Sequence, residues 1–245
     1  MTRGIFQILA NERIARDVFR LCLAGDAGAV RAPGQFVNIA LDGFYLRRPI
    51  SVCDWTADSL TLLYKTVGRG TAALAGMRPG ETLDLLVGLG NGFACERSGD
   101  RPLVIGGGVG TPPMFGLAKA LLAAGKQPTA VLGFNTAADA FYLDEFQALG
   151  IPVLVATADG GLGTPGFVTD AVARQRPLYD YYFACGPEPM LRALYDALPT
   201  DGQLSFEERM ACGFGVCMGC SCQTKYGSRR ICRDGPVLCK EEILW

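Results

Sequence analysis

The first third of the chain is dominated by short runs in which apolar and polar residues alternate. Alternation with a period of two is typical of strands that are buried on one face, and the dipeptides Pro33-Gly34 and Pro79-Gly80 mark turns between such runs. The predicted strands cover residues 5–9, 17–23, 35–41, 49–54, 60–65 and 82–87. Regularly spaced short strands of this kind predict a small antiparallel β-barrel.

The pattern changes at Arg101-Pro102, where short apolar runs begin to alternate with helical segments. Strands are predicted at residues 103–105, 130–134, 153–157 and 181–185, and helices at residues 114–124, 143–149, 166–173 and 189–198. Strands that alternate with helices predict a doubly wound parallel sheet. The chain is therefore expected to contain a barrel domain at residues 1–98, an α/β domain at residues 99–203 and a small C-terminal domain at residues 204–245.

Composition and charge narrow the classes of function. The formal net charge is −1 and no basic run stands out, which argues against nucleic acid as a partner. No apolar stretch is long enough to cross a membrane, and the first residues do not form the apolar core of a signal peptide. We therefore expect a cytoplasmic protein whose ten cysteines are reduced and in part ligate a cofactor. The absence of histidine excludes imidazole acid–base catalysis by this chain.

Four cysteines near the C-terminus have the spacing of an iron–sulfur site. Cys212, Cys217 and Cys220 follow the pattern C-x4-C-x2-C, and Cys232 comes after eleven further residues. Plant-type [2Fe–2S] sites have this pattern, and their four thiolates must converge on one small cluster. Glycines at positions 213, 215 and 219 would permit positive φ and a tightly wrapped loop. A hairpin predicted at residues 221–231, with its turn at 226–228, would return Cys232 to the other three.

Two other interpretations of these cysteines remain open. A structural zinc site also uses four thiolates, although zinc sites more often combine two short pairs. A disulfide set is disfavoured because nothing indicates secretion. Cys222 would point to the same side of a strand as Cys220, and we interpret it as a packing residue near the cluster and not as a ligand. Cys239 is a further thiol outside the motif.

Two motifs on the predicted barrel contain residues suited to a dinucleotide. The first motif is formed by Arg48, Pro49, Ile50 and Ser51. The second is formed by Leu63, Tyr64 and Lys65, followed by Gly70 and Thr71 before a helix predicted at residues 72–77. A guanidinium can bind phosphates in a bidentate manner, and a helix N-terminus attracts a pyrophosphate. Each motif alone is weak, because a single arginine is usually a solvated charge and Gly-Thr is usually a helix cap.

The predicted α/β domain contributes two more motifs. The strand at residues 103–105 ends in a glycine-rich turn, whose candidate ligands are Gly107, Gly108, Gly110 and Thr111. A strand, a glycine turn and a helix can place a pyrophosphate at the helix N-terminus, and Thr111 is the expected N-cap. A tight connection without a ligand is the alternative. The strand at 181–185 leads into Cys185, Gly186 and Pro187, at the edge where open α/β sheets bind ligands.

In this order, the motifs carry a family resemblance. Residues 48–51 resemble the flavin motif of the ferredoxin–NADP reductase superfamily, residues 89–93 resemble the loop that closes its barrel domain, and residues 185–191 resemble its NAD(P)-binding half. With residues 46–51, 106–113, 208–213 and 234–237, nearly the whole chain resembles the electron-transfer subunits of NAD-dependent (type B) dihydroorotate dehydrogenases. The resemblance implies an FAD-binding barrel, an NAD-binding α/β domain and a small [2Fe–2S] domain.

The resemblance also implies how electrons move and which partner is needed. In that family an FMN-containing catalytic subunit oxidises dihydroorotate to orotate in pyrimidine biosynthesis. Electrons then pass through the [2Fe–2S] cluster and FAD to NAD+, within a heterotetramer of two catalytic and two electron-transfer subunits. The family pattern assigns Arg48 to the FAD phosphates, Ser51 to the reactive edge of the isoalloxazine ring, and Cys185-Gly186 to the nicotinamide ring.

Two other functions are compatible with parts of this pattern. One is an FAD/[2Fe–2S] reductase subunit of a bifurcating transhydrogenase, a hydrogenase or a sulfite reductase, but the bifurcating relatives typically have an aspartate where this chain has Cys212. The other is a non-redox zinc-binding interaction module, which metal analysis would distinguish. Trp245 is interpreted as a packing or partner contact. We expect NADH to be preferred over NADPH, because residues 133–139 contain one acid and no basic residue.

Overall fold

The computed structural model describes residues 1–245 and confirms the predicted barrel. Its antiparallel strands close in the neighbour order β1-β2-β5-β4-β3-β6. They are β1 (Thr2–Ala15), β2 (Val18–Ala24), β3 (Phe36–Ile39), β4 (Arg48–Trp55), β5 (Ser59–Lys65) and β6 (Thr82–Leu89). A short helix, α1 (Arg69–Ala75), lies between β5 and β6 and begins earlier than predicted, because Gly68 is its N-cap.

β1 is longer than the alternating pattern predicted, because it pairs with two neighbours in succession. Residues 2–7 pair with β6, and residues 7–15 pair with β2. Register shifts after Ile8 and Arg13 bend the strand around the barrel. The polar run from Asn11 to Arg13 conceals this second half of the strand in the sequence.

The middle of the chain forms the predicted doubly wound sheet. The parallel strands stand in the order β10-β9-β8-β7-β11-β12. They are β7 (Pro102–Gly107), β8 (Thr129–Phe134), β9 (Val153–Thr157), β10 (Thr164–Pro165), β11 (Tyr181–Cys185) and β12 (Gly202–Ser205). The helices are α2 (Thr111–Ala123), α3 (Leu143–Ala148), α4 (Val168–Gln175) and α5 (Glu188–Ala197). The strand order reverses between β7 and β11, which makes their carboxyl ends the switch point where such sheets bind ligands.

The C-terminal segment is joined to this sheet. Its hairpin consists of β13 (Ser221–Thr224) and β14 (Gly227–Arg230), and β15 (Val237–Cys239) pairs antiparallel with β12. The hairpin turn is formed by Lys225 and Tyr226, one residue earlier than predicted. The expected domain limit between residues 203 and 204 lies inside β12. Short 3-10 turns occur at Cys95–Arg97, Gly108–Gly110, Ala137–Asp139 and Lys240–Glu242.

Three apolar clusters hold these parts together. One fills the barrel interior. The second joins the outer barrel residues Cys53 and Leu63 to helix α2, and there the backbone of Gly116 approaches the carbonyl of Cys53 so closely that a Cβ would lie 2.6 Å from its oxygen. The third cluster lies on the other face of the sheet and includes Cys220 and Cys232. No helix combines the length and the apolarity that a membrane crossing needs.

Candidate cofactor sites

The two predicted barrel motifs stand on opposite sides of a split in the barrel wall. β4 pairs with β5 from Val52 to Trp55. Before Val52, residues 48–51 pair only with β3, and after Leu62, residues 63–65 pair only with β2. We call the space between residues 48–51 and residues 63–65 the barrel cleft.

Backbone groups line the barrel cleft. The N–H of Val52 donates to the carbonyl of Gln35 (3.0 Å), so the alternation of an antiparallel ladder directs the backbone groups of Ser51 into the cleft. On the other side, the N–H of Thr66 donates to Asp17 (2.8 Å), which turns the groups of Lys65 and Leu63 into the cleft. Pro49 occupies a cleft-facing position where its missing N–H breaks no ladder bond. The cleft is thus lined by backbone donors and acceptors that no strand partner uses.

The two adjacent arginines have different roles. Arg47 donates to the carbonyl of Asn38 (3.2 Å) and to the carboxylate of Asp84 (3.0 Å), so it fastens β3 to β6. Arg48 has no acidic partner; its guanidinium lies over the ring of Phe44, 4.6 Å from the centroid. It also occupies the space beside Gly70 that a Cβ would need. Of these two arginines, Arg48 is therefore the one whose guanidinium has no carboxylate partner and can bind an anion.

Gly70 and Thr71 lie in the first turn of α1, against Arg48. The first intrahelical bond runs from the N–H of Ala72 to the carbonyl of Gly68 (2.9 Å), so the N–H groups of residues 69–71 have no acceptor within the helix. The Thr71 hydroxyl accepts from the N–H groups of Val67 (3.0 Å) and Gly68 (3.2 Å). Thr71 therefore offers a ligand its backbone, because its side chain caps the helix.

The second barrel motif also contributes backbone. The Tyr64 side chain points into the barrel, where it is 2% exposed and its hydroxyl donates to Asn11 (2.9 Å). Leu63 is buried against α2 in the domain interface. Tyr64 and Leu63 thus shape the wall of the cleft, and neither side chain reaches into it as a polar ligand.

The glycine-rich turn and the Cys185 motif lie directly against each other. The carbonyl of Cys185 occupies the space that a Cβ of Gly110 would need, and Met190 fills the corresponding space at Gly107. Gly108 has φ of +52° and open space on its Cβ side. The structure therefore brings the two nucleotide motifs together at the switch point of the sheet, as the topology requires.

Thr111 is not the N-cap that the sequence predicted. Gly110 is the N-cap, and Thr111 is the first residue of α2, followed by Pro112 and Pro113. Thr111 is fully buried and its hydroxyl has no hydrogen-bond partner. A buried hydroxyl without a partner is uncommon in folded proteins. This orphaned donor at the helix start fits a site that binds a polar ligand.

The Cys185 thiol stays protonated. Burial raises its pKa to about 12, partly offset by a hydrogen bond with Ser205, and Glu207 raises it further. A neutral thiol is a poor nucleophile. The residue is thus not prepared to act as a nucleophile.

The loop at residues 158–161 lies at the same carboxyl edge of the parallel sheet, and it was not predicted from the sequence. The hydroxyl of buried Thr157 accepts from the N–H of Leu162 (3.0 Å) and donates to its carbonyl (2.9 Å). This closes residues 158–161 into a compact turn, in which the carboxylate of Asp159 accepts from Gly161 (2.9 Å). The turn follows β9, two strands from the switch point. Its glycine-rich sequence was the available signal.

The four predicted cluster ligands meet in two pairs. Cys217 lies beside Cys212, whose pKa its backbone and side chain lower, and Cys220 lies beside Cys232, whose pKa it raises. The N–H of Cys232 also lies 3.4 Å from the sulfur of Cys220. The charge of Cys212 also raises the pKa of Cys232, so the two cysteine pairs lie close to each other.

This pairing fits a binuclear cluster. A [2Fe–2S] cluster takes four thiolates, two on each of its two irons, and the two cysteine pairs supply that number. Burial raises the pKa of Cys212, but N–H groups of Cys217, Phe214 and Val216 and the Cys217 side chain lower it to about 6. The first ligand is thereby prepared as a thiolate, the form that binds metal.

The loop geometry differs from the prediction at one glycine. Gly213 (φ +78°) and Gly215 (φ +91°) adopt the left-handed conformation that was expected of them, but Gly219 does not. Met218 takes that conformation instead (φ +60°), so the last tight bend comes one residue earlier. The Arg230 guanidinium donates to the carbonyl of Gly215 (3.0 Å) and to the carboxylate of Asp234 (2.9 Å), which braces the loop.

The remaining candidate residues have packing roles in the structure. Cys222 packs on the cluster of apolar residues that includes Cys220, and burial raises its pKa. Cys239 lies outside the four-cysteine group, with its sulfur 2.8 Å from the Arg97 guanidinium. Trp245 packs on Phe206 and Tyr195, with ring centroids 5.7 and 6.0 Å apart.

A barrel with a polar cleft, a nucleotide-binding α/β sheet and a four-cysteine loop define an iron–sulfur reductase of the ferredoxin–NADP reductase type. Comparison with known families agrees. Residues 104–196 match the oxidoreductase NAD-binding domain. Residues 207–244, which include all four cysteines, match the iron–sulfur cluster binding domain of dihydroorotate dehydrogenase B. The expected NAD-binding and iron–sulfur domains are thus confirmed.

Relatives extend this match to the whole chain. The electron transfer subunit of dihydroorotate dehydrogenase B (NAD(+)) from Geobacillus sp. (strain WCH70) is 41% identical over 249 residues, which is 97% of this chain and 96% of the relative. The subunit of the same name from Bacillus caldolyticus is 43% identical over 251 residues, 96% of each chain. This chain belongs to the family of electron transfer subunits of dihydroorotate dehydrogenase B, and it is an NAD-linked oxidoreductase subunit.

A solved structure confirms the fold. It is an NADH-dependent reduced ferredoxin-NADP oxidoreductase studied for flavin-based electron bifurcation. It superimposes with a TM-score of 0.89 at 31% identity and covers 98% of this chain and 90% of its own. The predicted architecture of a barrel, an α/β domain and a C-terminal cluster segment is therefore that of a ferredoxin reductase.

Proposed function

We propose that this chain carries electrons from an FMN-containing dihydroorotate dehydrogenase catalytic subunit to NAD+ in the cytoplasm. The net reaction is dihydroorotate + NAD+ → orotate + NADH + H+. When bound, a [2Fe–2S] cluster passes one electron at a time, FAD exchanges one or two, and NAD+ accepts a hydride. One observation carries the proposal: the four-cysteine loop packs on β3, the strand next to the barrel cleft, where Asn38 contacts Cys212.

FAD is assigned to the barrel cleft. Arg48 would bind its phosphates together with the backbone N–H groups of Gly70 and Thr71. The backbone groups of Ser51, Leu63 and Lys65 would hold the polar edge of the isoalloxazine ring, supported by Pro49, Ile50 and Tyr64. NAD is assigned to the switch point, with Gly107, Gly108, Gly110 and Thr111 on one side and Cys185, Gly186 and Pro187 on the other.

The cluster is assigned to Cys212, Cys217, Cys220 and Cys232. Their loop also presents apolar side chains to the surface: Val216 is 74% exposed, Met218 53% and Phe214 40%. Exposed apolar groups around a redox centre favour a docked protein partner. We therefore assign this loop to the interface with the catalytic subunit, in an assembly of two catalytic and two electron-transfer subunits.

A reconstitution experiment tests the proposal. The isolated chain should contain FAD and a [2Fe–2S] cluster and should oxidise NADH with an artificial acceptor, but it should not oxidise dihydroorotate. Adding the FMN catalytic subunit should restore dihydroorotate:NAD+ activity. Dihydroorotate oxidation by the isolated chain, or zinc without acid-labile sulfide, would refute the proposal.

A second candidate is the reductase subunit of a bifurcating complex. The TM-score of 0.89 to the bifurcating oxidoreductase favours it, whereas Cys212 in place of an aspartate favours the dihydroorotate system. The two are distinguished by the protein that co-purifies with this chain: a flavin-containing dihydroorotate-oxidising subunit for the first function, and a different redox partner for the second.

A further inference from the structure

One buried amide connects the barrel to the cluster loop. Asn38 lies in the middle of β3 and is 1% exposed. Its neighbours Val37 and Ile39 belong to the barrel interior, so the alternation of the strand directs Asn38 to the outer face. The side-chain Nδ2 donates to the carbonyl of Cys212 across 3.4 Å.

The contact with the loop is tight. An ideal Cβ on Gly213 would collide with the Asn38 amide nitrogen. Only glycine therefore permits this approach, and Gly213 also has φ of +78°. The backbone of Asn38 is fixed as well, because Arg47 donates to its carbonyl (3.2 Å) and is itself held by Asp84. The Asn38 amide thus holds the peptide between Cys212 and Gly213 in a fixed position against β3.

The same residue borders the cleft motif. Asn38 pairs directly with Pro49 across the β3–β4 ladder. The N–H of Val52 donates to the carbonyl of Gln35, so the alternation of the ladder makes Asn38 and Pro49 a non-hydrogen-bonded pair, in which side chains approach each other most closely. Asn38 therefore stands between the first cysteine of the cluster loop and the strand that lines the cleft.

Packing alone does not account for an amide here. The Oδ1 atom of Asn38 is buried without a partner, and an unsatisfied buried acceptor lowers stability. An apolar side chain of the same size would avoid that loss. The carbonyl of Cys212 also fixes the orientation of the amide, because only Nδ2 can donate to it.

We propose that Asn38 is a positioning residue for electron transfer: it fixes Cys212, and with it the cluster, relative to the flavin-binding strand. This inference rests on the proposed function. Loss of the Nδ2 donor should release the Cys212–Gly213 peptide, change the surroundings of the cluster and slow the exchange of electrons between cluster and flavin.

The test compares Asn38→Leu and Asn38→Asp with Gln203→Leu, which removes another buried amide on β12, away from the cluster loop. Purified proteins are analysed for iron, sulfide and FAD, and their reduced clusters by electron paramagnetic resonance. Dithionite-reduced protein is then mixed with NAD+, and reoxidation of flavin and cluster is followed separately. In both Asn38 variants we expect an altered resonance spectrum and cluster reoxidation slowed by about tenfold, the scale of a small misplacement of reacting groups.

The controls separate positioning from general instability. Flavin reoxidation should be unchanged in the Asn38 variants, and Gln203→Leu should match the wild type in spectrum and rates. If Asn38→Leu loses the cluster, Asn38→Asp decides the question, because it keeps the size of the side chain and removes the Nδ2 donor. A wild-type spectrum and rate in Asn38→Asp, or equal effects in Gln203→Leu, would overturn it. A wild-type chain without FAD and [2Fe–2S] would refute the proposed function, and this inference with it.

Discussion

The side chain of Asn91 holds the backbone of Val237 from both sides: its amide donates to the Val237 carbonyl (2.7 Å) and its oxygen accepts from the Val237 N–H (3.1 Å). The backbone N–H of Asn91 also donates to Gly235 (2.7 Å). These bonds join the loop that leaves the barrel to the segment that follows the last cluster cysteine. Together with the contact between Asn38 and Cys212, they fix both ends of the four-cysteine segment to the barrel.

Replacing Asn91 should loosen the end that follows Cys232. Asn91→Leu removes the two side-chain bonds to Val237, and we expect the free energy of unfolding to fall by about 1–3 kcal/mol. Urea denaturation of the cluster-containing protein measures it. Asn135→Leu is the matched control, because its side chain is exposed and makes no hydrogen bond, and it should change stability by less than about 0.5 kcal/mol. Equal stability of the two variants would contradict the assigned role of Asn91.

The two neighbouring thiols Cys217 and Cys222 should respond differently to the same substitution. Cys217→Ser removes a predicted ligand, so iron, acid-labile sulfide and the visible absorption of the cluster should be lost. NADH oxidation with an artificial acceptor should persist if FAD stays bound. Cys222→Ser should retain the cluster, because this thiol packs on the apolar cluster beside Cys220. Retention of a full cluster in Cys217→Ser would show that the ligand set is wrong.

The glycine turn should tolerate no side chain where it meets β11. Gly110→Ala would place a Cβ against the backbone carbonyl of Cys185, so the two nucleotide motifs would have to separate. We expect NADH to bind at least about tenfold more weakly, with FAD and iron contents unchanged. In Gly76→Ala the nearest heavy atom lies 3.4 Å from the new Cβ, and NADH titration should match the wild type.

Much of the fold could be predicted from the sequence, because the alternating pattern of the barrel strands and the strand–helix pattern of the α/β domain occupy separate parts of the chain. Strands β9 and β11 were predicted with their observed limits, since both are short apolar runs between turn residues. The attachment of β15 to β12 was not predictable, because three residues of an edge strand carry no periodicity. The capping role of Thr71 and the burial of Tyr64 depend on tertiary contacts that no local pattern encodes.

The residues of the candidate site also divide into those that a sequence pattern predicts and those that it does not. The four cysteines and the glycine turn carry spacing signals, so the sequence alone predicts them as site residues. Asn38 and Asn91 carry none: each is a single amide whose partner is 174 or 146 residues away in the chain. Residues that fix one segment to another become visible only when the segments have been brought together.

Coenzyme preference should follow the charge near the end of β8. Asp139 accepts from the Thr136 hydroxyl (2.7 Å) and lies 3.8 Å from Arg16, so the guanidinium of Arg16 already faces a carboxylate. We expect kcat/KM for NADH to exceed that for NADPH by about tenfold or more. Asp139→Asn should reduce the ratio of kcat/KM for NADH to that for NADPH, because it frees Arg16 to bind the 2′-phosphate. Asp144→Asn, at an exposed position in α3, should leave this ratio unchanged. Equal use of both coenzymes by the wild type would contradict this assignment.

The ion pair between Arg230 and Asp234 should make retention of the cluster depend on pH. Hydrogen bonds from the Arg230 side chain and backbone N–H hold the pKa of Asp234 below its ordinary value of 3.8. A carboxyl with a depressed pKa stabilises the folded state above its unfolded pKa, and this contribution is lost as the pH falls through the folded pKa. The same Arg230 guanidinium donates to Gly215 in the cluster loop, so protonation of Asp234 should release the brace.

Bleaching rates of the cluster separate this effect from protonation of the cysteines, which is common to all variants. At neutral pH, Asp234→Asn should lose its visible absorption faster than the wild type by about three- to fivefold, the scale of one partly exposed ion pair. The ratio of the two rates should approach one below about pH 4, where the wild-type carboxyl is also becoming protonated. Asp196→Asn, at an exposed position in α5, should give a ratio near one at every pH. A ratio for Asp234→Asn that stays constant from neutral to acid pH would show that the charge of Asp234 does not brace the loop.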